Sequence, residues 1–408
     1  MKDVILILNA GSSSVKFAVY GAEHDAMEHE NLARLLTGSV TDIGSKQPRF
    51  MAVGTHENSN ADIKQIKQNT NIKDHAQALH LILEWLETEM AHLNFVAIGH
   101  RVVHGGSIFG QPIFVDKSVL ERLEALIPLA PLHQPYALYA IEMLLEQKPE
   151  LFQVACFDTA FHSTMPEREQ YFALPEKLFT EGIRHYGFHG LSYEYIVNRM
   201  PAYLGDTANG KVVIAHLGHG ASMCAVLNGQ SVATSMSFTP LDGLPMGTRS
   251  GAIDPAIVLY LLAQGQTTDE VSDLLNHQSG LLGLSGISDD MQTLLESPDE
   301  KAKKAIDYFC YRISRELASL AAALGGLDTV VFTGGIGEQA PLIREKVCCQ
   351  SSWLGVDLDA EANLQNVNHI STPSSRVSVW MIPTDEELVI AGHTQRLLKS
   401  RSSVSASC

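Results

Sequence analysis

The sequence predicts a duplicated α/β fold whose two halves close on a central cleft, and three observations lead to this prediction. Residues 4–8 form a short apolar run typical of a strand buried on both faces, and it passes through a Gly/Ser turn into a second strand at residues 17–20. The same pattern of strand, turn and strand recurs at residues 212–226. Strands and helices alternate after each copy, which is typical of an α/β fold.

The first turn has the composition of an anion site. Gly11 and three serines lie between the two strands, and Lys16 follows them. Such a turn can direct backbone N–H groups, hydroxyls and an ammonium group at an anion. The spacing differs from a Walker A loop, and a strand follows the turn instead of a helix. An ordinary hairpin turn explains these residues when they are taken alone. The recurrence of similar turns later in the chain favours the anion site.

The composition is that of a globular protein with an acidic surface. The 408 residues suffice for two domains, and 46 acidic against 29 basic residues give a formal net charge of −17. This charge makes nucleic acid and anionic membranes unfavourable partners, and no stretch has the length of a transmembrane helix. Six cysteines without zinc spacing, and no signal-peptide pattern, predict reduced thiols in a cytoplasmic protein.

In the first half, strands should alternate with amphipathic helices. The predicted order is sheet and loop at 32–51 with turns at Gly38 and Gly44, a polar surface segment at 58–74, a helix at 75–90, a strand from 95 that enters a glycine turn at 105–106, a helix at 117–126, a proline-bounded loop at 130–135, a helix at 137–147, and a buried strand at 153–158.

The second half repeats the opening pattern and adds a third glycine turn. The predicted order is a loop at 184–190, a helix at 192–200, strands at 212–215 and 223–226, a helix ending at Gly325, a strand at 329–332, a glycine loop at 333–338, a helix from Pro341, and a disordered tail at 400–408. A strand, glycine loop and helix in succession direct N–H groups at a phosphate or nucleoside. A nucleotide held between two glycine turns would occupy the cleft.

Seven segments, taken together, resemble the signatures of the acetate kinases, in that family's order and over nearly the whole chain. They are Asn9-Ala10-Gly11-Ser12-Ser13-Ser14-Val15-Lys16, Gly99-His100-Arg101-Val102-Val103-His104-Gly105-Gly106, Ala130-Pro131-Leu132-His133, Phe157-Asp158-Thr159-Ala160-Phe161-His162, Tyr186-Gly187-Phe188-His189-Gly190, Met246-Gly247-Thr248-Arg249-Ser250-Gly251 and Phe332-Thr333-Gly334-Gly335-Ile336-Gly337-Glu338.

The resemblance implies a fold and an activity. The fold is the duplicated actin/sugar-kinase/Hsp70-type fold, with ribonuclease H-like domains around the nucleotide cleft. The activity is reversible phosphate transfer between ATP and acetate, giving ADP and acetyl phosphate, by a cytoplasmic homodimer with Mg²⁺ (or Mn²⁺). We expect residues 1–157 with 386–408 to form the domain of the carboxylate and the first phosphate turn. Residues 158–385 should form the nucleotide-binding domain.

The chemistry requires cations around the transferred phosphoryl group, because a carboxylate is already ionised at neutral pH and needs no general base. The resemblance implies Arg101 on the substrate and His189 and Arg249 on the transition state. A structural ion pair is the alternative for each arginine, and a buried core histidine for His189. Leu132, Val103, Phe188 and Pro240 would form the apolar pocket for the methyl group, and His133 would contact the carboxylate or phosphate. The nucleotide would contact Ser12, Ser14, Lys16, His216, Leu217, Gly218, His219, Gly220, Asp290, Met291, Gln292, Gly334, Gly335, Ile336, Gly337 and Glu338.

Three acidic or amide residues complete the predicted site. Asp158 ends a buried strand, where an unpaired carboxylate costs free energy, so it should have a partner. The family assigns Asp158 an acid role, whereas our physical interpretation is that it holds Mg²⁺ waters or Arg101. The resemblance implies Asn9 and Glu386 as magnesium ligands. A capping box of Thr384 with Glu387 would explain Glu387 structurally and leaves Glu386 for function.

Departures from the family pattern lie on the nucleotide side. His219, Gln292 and Gln339 stand where the family usually has Asn, Arg and Asn, and Leu191 and Tyr193 lie in a segment that usually reads Gly-Thr-Ser-His. Two alternatives stay open: a propionate or other short-chain acyl kinase, or an enzyme with another phosphoryl donor, and the departures bear on the donor. A non-catalytic nucleotide-binding protein of the same fold is disfavoured, because Arg101, Asp158, His189 and Arg249 are all present.

Overall fold

The computed structural model describes residues 1–11, 14–22, 32–45, 47–54, 68–69 and 72–405. The chain divides into two compact units, residues 1–160 with 385–408 and residues 161–384. The sequence-based division assigned Asp158 and Asp385 to the second domain, whereas both belong to the first unit. The physical reason is their bonding: Asp158 pairs with Arg101, and Asp385 accepts a hydrogen bond from Tyr20, and both partners lie on strands of the first unit.

The strands form one sheet in each unit. They are β1 (Lys2–Ala10), β2 (Val15–Gly21), β3 (Arg34–Thr41), β4 (Arg49–Gly54), β5 (Gln68–Asn69), β6 (Leu93–Val102), β7 (Ile113–Phe114) and β8 (Phe152–Phe157) in the first unit, and β9 (Lys211–Leu217), β10 (Ala221–Leu227), β11 (Gln230–Thr234), β12 (Thr329–Thr333) and β13 (Ser378–Met381) in the second.

Helices connect and cover the strands. They are α1 (His75–Glu89), α2 (Lys117–Glu124), α3 (Gln134–Gln147), α4 (Glu167–Gln170), α5 (Glu176–Thr180), α6 (Gly190–Leu204), α7 (Pro255–Ala263), α8 (Thr268–His277), α9 (Gly280–Ser285), α10 (Met291–Glu296), α11 (Glu300–Leu324), α12 (Gly334–Gln339), α13 (Pro341–Gln350), α14 (Ala360–Leu364) and α15 (Glu386–Ser405). Within the described part of the chain, no helix has both the length and the apolarity needed to cross a bilayer.

The predicted duplication is confirmed by the strand order. The first sheet runs β5-β4-β3-β2-β1-β6-β8-β7 and the second runs β11-β10-β9-β12-β13. In the first sheet β3, β2 and β1 are antiparallel, and β1, β6 and β8 are parallel. The second sheet repeats this pattern with β11, β10 and β9 antiparallel and β9, β12 and β13 parallel. The β1–β2 hairpin therefore corresponds to the β9–β10 hairpin.

The buried elements agree with the predictions. Residues 4–8 of β1 are each at most 2% exposed, as expected for a strand covered on both faces. Helix α11 buries the predicted stripe and ends at Gly325, whose φ of +66° is the left-handed conformation that favours glycine. Helix α3 begins at Gln134, earlier than predicted, because Pro135 fits the first helical turn, where its missing N–H has no consequence.

Three predictions about local structure were wrong or shifted, and a fourth is largely untested. Gly38 lies inside β3 and not in a turn: a methyl group there would lie 2.2 Å from the Phe17 ring, so packing across strands explains the glycine. Residues 334–339 form the short helix α12 where a loop was predicted. Helix α15 continues to Ser405 where a disordered tail was predicted from Ser400. The polar segment at 58–74 lies largely outside the described residues.

The last helix belongs to the first sheet. Helix α15 packs on β6, and Gly99 of that strand makes the close approach possible, since a methyl group there would lie 2.5 Å from Thr394 Oγ1 and 2.6 Å from Ile390 Cγ2. Asp385 caps the start of the helix, because its Oδ1 accepts a hydrogen bond from the Leu388 N–H at 3.0 Å. The predicted capping box of Thr384 with Glu387 is therefore wrong by one residue.

Candidate active site

In the first unit, Arg101 and Asp158 form a bidentate pair at the carboxyl ends of neighbouring parallel strands. Arg101 Nε and Nη2 donate to the two Asp158 oxygens at 2.8 Å and 2.6 Å. Asp158 is 2% exposed and immediately follows β8, and its backbone N–H donates to Val102 of β6. Burial alone would lower the pKa of Arg101, but Asp158 and Glu386 outweigh it and hold that pKa above its usual value. Mg²⁺ waters and Arg101 were the two partners expected for Asp158, and the structure shows the pairing with Arg101.

The same arginine reaches the strand that leads into the first turn. Arg101 Nη1 donates to Asn9 Oδ1 at 3.3 Å, and Asn9 lies opposite Lys16 across the β1–β2 hairpin. The turn itself is tight, since the Gly11 N–H donates to the Ser14 carbonyl at 2.8 Å. Ser12 lies outside the described residues. Asn9, Lys16 and Arg101 therefore belong to one polar cluster at the end of the first sheet.

Glu386 adds a carboxylate to this cluster. Burial raises its pKa, Arg101 counteracts that shift, and Asp158 adds to it, so these charges interact. Among the described residues, the Glu386 carboxylate forms no hydrogen bond or ion pair. A carboxylate oxygen and an amide oxygen beside the Gly/Ser turn are the hard ligands that Mg²⁺ prefers. The described residues contain no group of three His, Cys, Asp or Glu side chains able to hold a metal. Asn9 and Glu386 thus suit a Mg²⁺ ion that takes its other ligands from water and substrate.

A buried amide fixes the chain on either side of the predicted acyl pocket. Gln134 accepts a hydrogen bond from the His104 N–H at 3.1 Å and donates one to the His104 carbonyl at 3.0 Å. These two hydrogen bonds join His104, which follows Val103, to Gln134, which follows His133. Val103 is 9% exposed, whereas Leu132 is 37% exposed. Of the predicted pocket residues in the first unit, Val103 has the burial expected of a pocket wall.

In the second unit, His189 occupies the residue before α6 in a left-handed conformation, with φ of 58°. Its Nδ1 is hydrogen-bonded to Ser222 Oγ at 2.8 Å, and its ring stacks on His216 with centroids 4.3 Å apart. His216 Nδ1 in turn bonds Ser192 Oγ at 2.7 Å. A non-glycine residue at positive φ is uncommon and indicates a position determined by its surroundings. The ring is therefore held by partners on two sides, and its intermediate exposure differs from that of a fully buried core histidine.

A buried histidine supports the loop before His189. His162 Nε2 bonds the Phe188 carbonyl at 3.0 Å, and Nδ1 bonds Ser231 Oγ at 2.9 Å. Burial lowers the pKa of His162 to about 4, so the ring is neutral at pH 7. Gly187, with φ of 78°, lies against this ring, where a methyl group would be 2.5 Å from it. Phe188 itself is 1% exposed, so its side chain is part of the core.

Arg249 lies on a loop that glycines hold in place. Its Nη1 donates to the Pro240 carbonyl at 3.0 Å and lies 3.6 Å from Met246 Sδ. A methyl group on Gly220 would lie 3.2 Å from His189 Nε2 and 3.9 Å from Arg249 Nη1. Gly280, with φ of +62°, approaches the Met246 carbonyl so closely that a side chain there would clash. His189 and Arg249 therefore converge on the glycine turn after β9.

The two predicted glycine turns of the second unit adjoin each other. Thr333 of β12 lies beside His216 of β9, and Gly334 would clash with the Leu217 backbone if it carried a side chain. Glu338 closes the turn, accepting from the N–H groups of Gly334 at 3.0 Å and Thr384 at 3.1 Å. The Glu338 carboxylate is therefore occupied by hydrogen bonds to the protein backbone. The backbone of residues 334–337 lies next to that of residues 217–220.

His219 and Gln292, which depart from the family pattern, are both exposed and have acidic partners. His219 Nε2 pairs with Asp289 Oδ2 at 3.0 Å, and the His219 carbonyl accepts from the Gly247 N–H. Asp290 caps α10, and the hydrogen bond from Thr293 lowers its pKa. Gln292 is exposed and bonds Glu296, whereas Met291 is 4% exposed and belongs to the core.

Sequence reasoning missed the residues that hold the site residues. Ser222, Tyr193 and His162 hold His189 and its loop, and Arg344, fully buried, donates to the carbonyls of Gly337 and Glu338 at the end of α12. His162 was part of a recognised segment without an assigned role. A buried arginine without an acidic partner gives no local sequence signal, because its acceptors are backbone and amide oxygens.

Comparison with known proteins shows similarity over almost the whole chain. The family model described as the acetokinase family matches residues 4–392. An acetate kinase from Rhodopseudomonas palustris (strain TIE-1) is 52% identical over 401 residues, covering 97% of this chain and 99% of the relative. An acetate kinase from Nitrobacter hamburgensis is 48% identical over 404 residues, covering 99% and 98%.

Solved structures resemble the whole fold. A propionate kinase from Francisella tularensis subsp. tularensis SCHU S4 has a TM-score of 0.87 and 38% identity, covering 97% of this chain and 99% of that one. The Porphyromonas gingivalis acetate kinase has a TM-score of 0.83 and 35% identity, covering 97% and 100%.

Proposed function

The chain belongs to the acetokinase family, and from that premise we propose that it is an acetate kinase. A carboxylate oxygen of acetate attacks the γ-phosphorus of ATP in line with the leaving group. The bond from the γ-phosphorus to the bridging oxygen breaks, and its electron pair leaves with ADP. The products are acetyl phosphate and ADP, and the reaction is reversible.

Arg101 binds and orients the acetate carboxylate in this proposal. Three of its N–H groups are engaged by Asp158 and Asn9, which leaves two for a ligand among its five. Asp158 keeps the guanidinium aligned, and since acetate is already ionised no proton has to be removed. This alignment, with both Asp158 oxygens on Arg101, is the observation that carries the proposed role of the first unit. Val103 and Leu132 of the same unit would contact the methyl group, and His133 the carboxylate or phosphate.

His189 and Arg249 stabilise charge on the phosphoryl group during transfer. Their convergence beside Gly220 supports this role, because cations and N–H donors directed at one point lower the energy of the transition state. The adjoining turns at 216–220 and 334–338, with Asp290, Met291 and Gln292, bind ATP. Ser12, Ser14 and Lys16 bind phosphate from the first unit.

Asn9 and Glu386 would hold Mg²⁺, directly or through water. When bound, the ion neutralises charge on the phosphates. Burial raises the pKa of Glu386, and the positive charges of Arg101 and Lys16 in the same cluster act against that shift.

A hydroxamate assay tests the proposed reaction. Hydroxylamine traps acyl phosphates, and the assay is run with ATP, Mg²⁺ and acetate, propionate or butyrate. We expect acetate to be preferred over propionate by roughly ten- to a hundred-fold in kcat/KM, because one methylene in an apolar pocket discriminates by about 1–3 kcal/mol. No hydroxamate with any carboxylate would refute the proposal.

A propionate kinase is the second candidate. The similarity to the F. tularensis propionate kinase structure favours it. A higher kcat/KM for propionate in the same assay would select it over acetate.

We also propose a cytoplasmic homodimer, with helix α7 as part of the contact. Helix α7 has an apolar sequence and no buried residue; Leu259 is 68% and Tyr260 62% exposed. Apolar helices exposed on this scale are typical of surfaces covered by another chain. Sedimentation should give a dimer, and Leu259→Asp should give monomers; a wild-type monomer would refute the homodimer.

A further inference from the structure

We propose that Ser222 and Tyr193 are positioning residues that hold the His189 ring for phosphoryl transfer. The inference rests on the proposed kinase function, and it assigns a task to two fully buried hydroxyls that lie outside the predicted site. Neither residue is assigned contact with a substrate here; both act through His189.

The three side chains form a continuous hydrogen-bonded chain. His189 Nδ1 bonds Ser222 Oγ at 2.8 Å, and the same Oγ is hydrogen-bonded to the Tyr193 hydroxyl. Ser222 and Tyr193 are each 0% exposed. A ring nitrogen bonded to a fixed hydroxyl determines the orientation of the ring. The other nitrogen, Nε2, is the one beside Gly220 and Arg249.

The elements that carry this chain are rigid. Tyr193 is four residues after His189, and its backbone N–H donates to the His189 carbonyl at 3.1 Å, so the first turn of α6 joins the two residues. The Tyr193 ring makes an edge contact with His162 at 5.5 Å and lies 6.1 Å from Phe161. Ser222 lies directly opposite His216 in the β9–β10 pair, and His216 stacks on His189. Helix and sheet thus hold the imidazole from two sides.

A double-mutant cycle separates positioning from general stability. Ser222→Ala and Tyr193→Phe are made in the wild type and in a His189→Ala background, and kcat and KM are measured by the hydroxamate assay. We expect Ser222→Ala to lower kcat about tenfold and Tyr193→Phe about threefold, with KM for acetate and ATP unchanged. In the His189→Ala background neither substitution should lower kcat further, and Ser222→Thr, which keeps the hydroxyl, should restore most of the rate.

Ser235→Ala is the matched control. Ser235 is 8% exposed and accepts a hydrogen bond from the Met223 N–H at 2.8 Å, next to Ser222, but it has no bond to His189 among the described contacts. Ser235→Ala removes a serine hydroxyl from the same region as Ser222→Ala does, and it should keep the wild-type kcat. Equal losses of kcat in the wild-type and His189→Ala backgrounds would overturn the positioning role, as would unchanged kcat in both Ser222→Ala and Tyr193→Phe.

A second measurement does not depend on turnover. In protein labelled with ¹⁵N-histidine, the ring signals of His189 are identified by their loss in His189→Ala. Ser222→Ala should shift these signals and Ser235→Ala should not. Unshifted signals in Ser222→Ala would overturn the inference even in an active enzyme. A wild type that forms no acyl phosphate would instead refute the proposed function, while the ring signals still report on the hydrogen bond.

Discussion

Asp158→Asn should lower both the stability of the first unit and the rate of phosphoryl transfer. The substitution removes a 2% exposed charge that accepts two hydrogen bonds from Arg101, at 2.8 Å and 2.6 Å. Breaking a buried ion pair from one side costs about 3–5 kcal/mol. Here the amide oxygen still accepts one bond and Glu386 remains near Arg101, so we expect a loss of about 2–3 kcal/mol. Misalignment of Arg101 should lower kcat by about 10²–10³-fold.

The tryptophans allow the stability loss to be assigned to one unit. The chain has three tryptophans, of which Trp85 lies in the first unit and Trp353 and Trp380 in the second. Urea unfolding is followed by the fluorescence of Trp85 in a variant with the other two changed to phenylalanine, and kcat is measured by the hydroxamate assay.

Asp42→Asn is the control for this prediction. Asp42 also pairs with an arginine, Arg49, but at 3.8 Å and with both side chains more than half exposed. Surface pairs of this kind contribute about 0–1 kcal/mol, so its urea transition should move little and kcat should not change. A stability loss in Asp158→Asn no larger than in Asp42→Asn, or a near-normal kcat, would refute the alignment role of Asp158.

Three further predictions concern the nucleotide, the acid and pH. Gln292→Arg should lower KM for ATP and leave KM for the carboxylate unchanged in steady-state kinetics; a change confined to the carboxylate would refute the nucleotide role of Gln292. Val103→Ala should narrow the roughly ten- to hundred-fold preference for acetate over propionate, because it enlarges the pocket for one methylene; an unchanged ratio of kcat/KM would remove Val103 from the pocket. The free energy of unfolding measured in urea should fall as pH falls from 6.5 towards 4. Burial lowers the pKa of His100, His104 and His162 from 6.5 to about 4, so in this interval the unfolded chain binds protons that the folded chain does not. A constant free energy of unfolding over this interval would contradict neutral buried histidines.

Local pattern in the sequence was sufficient for the elements whose burial follows a simple period. The run at 4–8, the stripe of α11 and its glycine end depend on neighbours within a few residues, and all three are confirmed. Gly38 was misassigned to a turn because its cause, the ring of Phe17, lies on a neighbouring strand. The cap of α15 shifted to Asp385 because three adjacent residues, Thr384 to Glu386, all have capping or acidic side chains.

Within the predicted site, the partner of Asp158 could be anticipated because that partner also lay in a recognised segment. Arg101 and Asp158 each ended a predicted strand, and parallel neighbours bring strand ends together, so their pairing followed from the fold. The hydroxyls behind His189 could not be predicted, since Ser222 is 33 residues away and its neighbour Tyr193 departs from the family pattern. Such supporting contacts are properties of the folded packing and leave no spacing in the sequence.

The attachment of α15 to the first sheet has a consequence for the order in which the protein forms during translation. The strands of the first sheet leave the ribosome early, but the helix that covers Gly99 on β6 is made only after the entire second unit. At about 5–20 residues per second, synthesis of the intervening segment takes roughly 10–50 seconds, far longer than a compact domain needs to fold. Nascent chains therefore carry a completed second unit beside a first sheet with one apolar face still uncovered, a state in which chaperones would be expected to bind the N-terminal half.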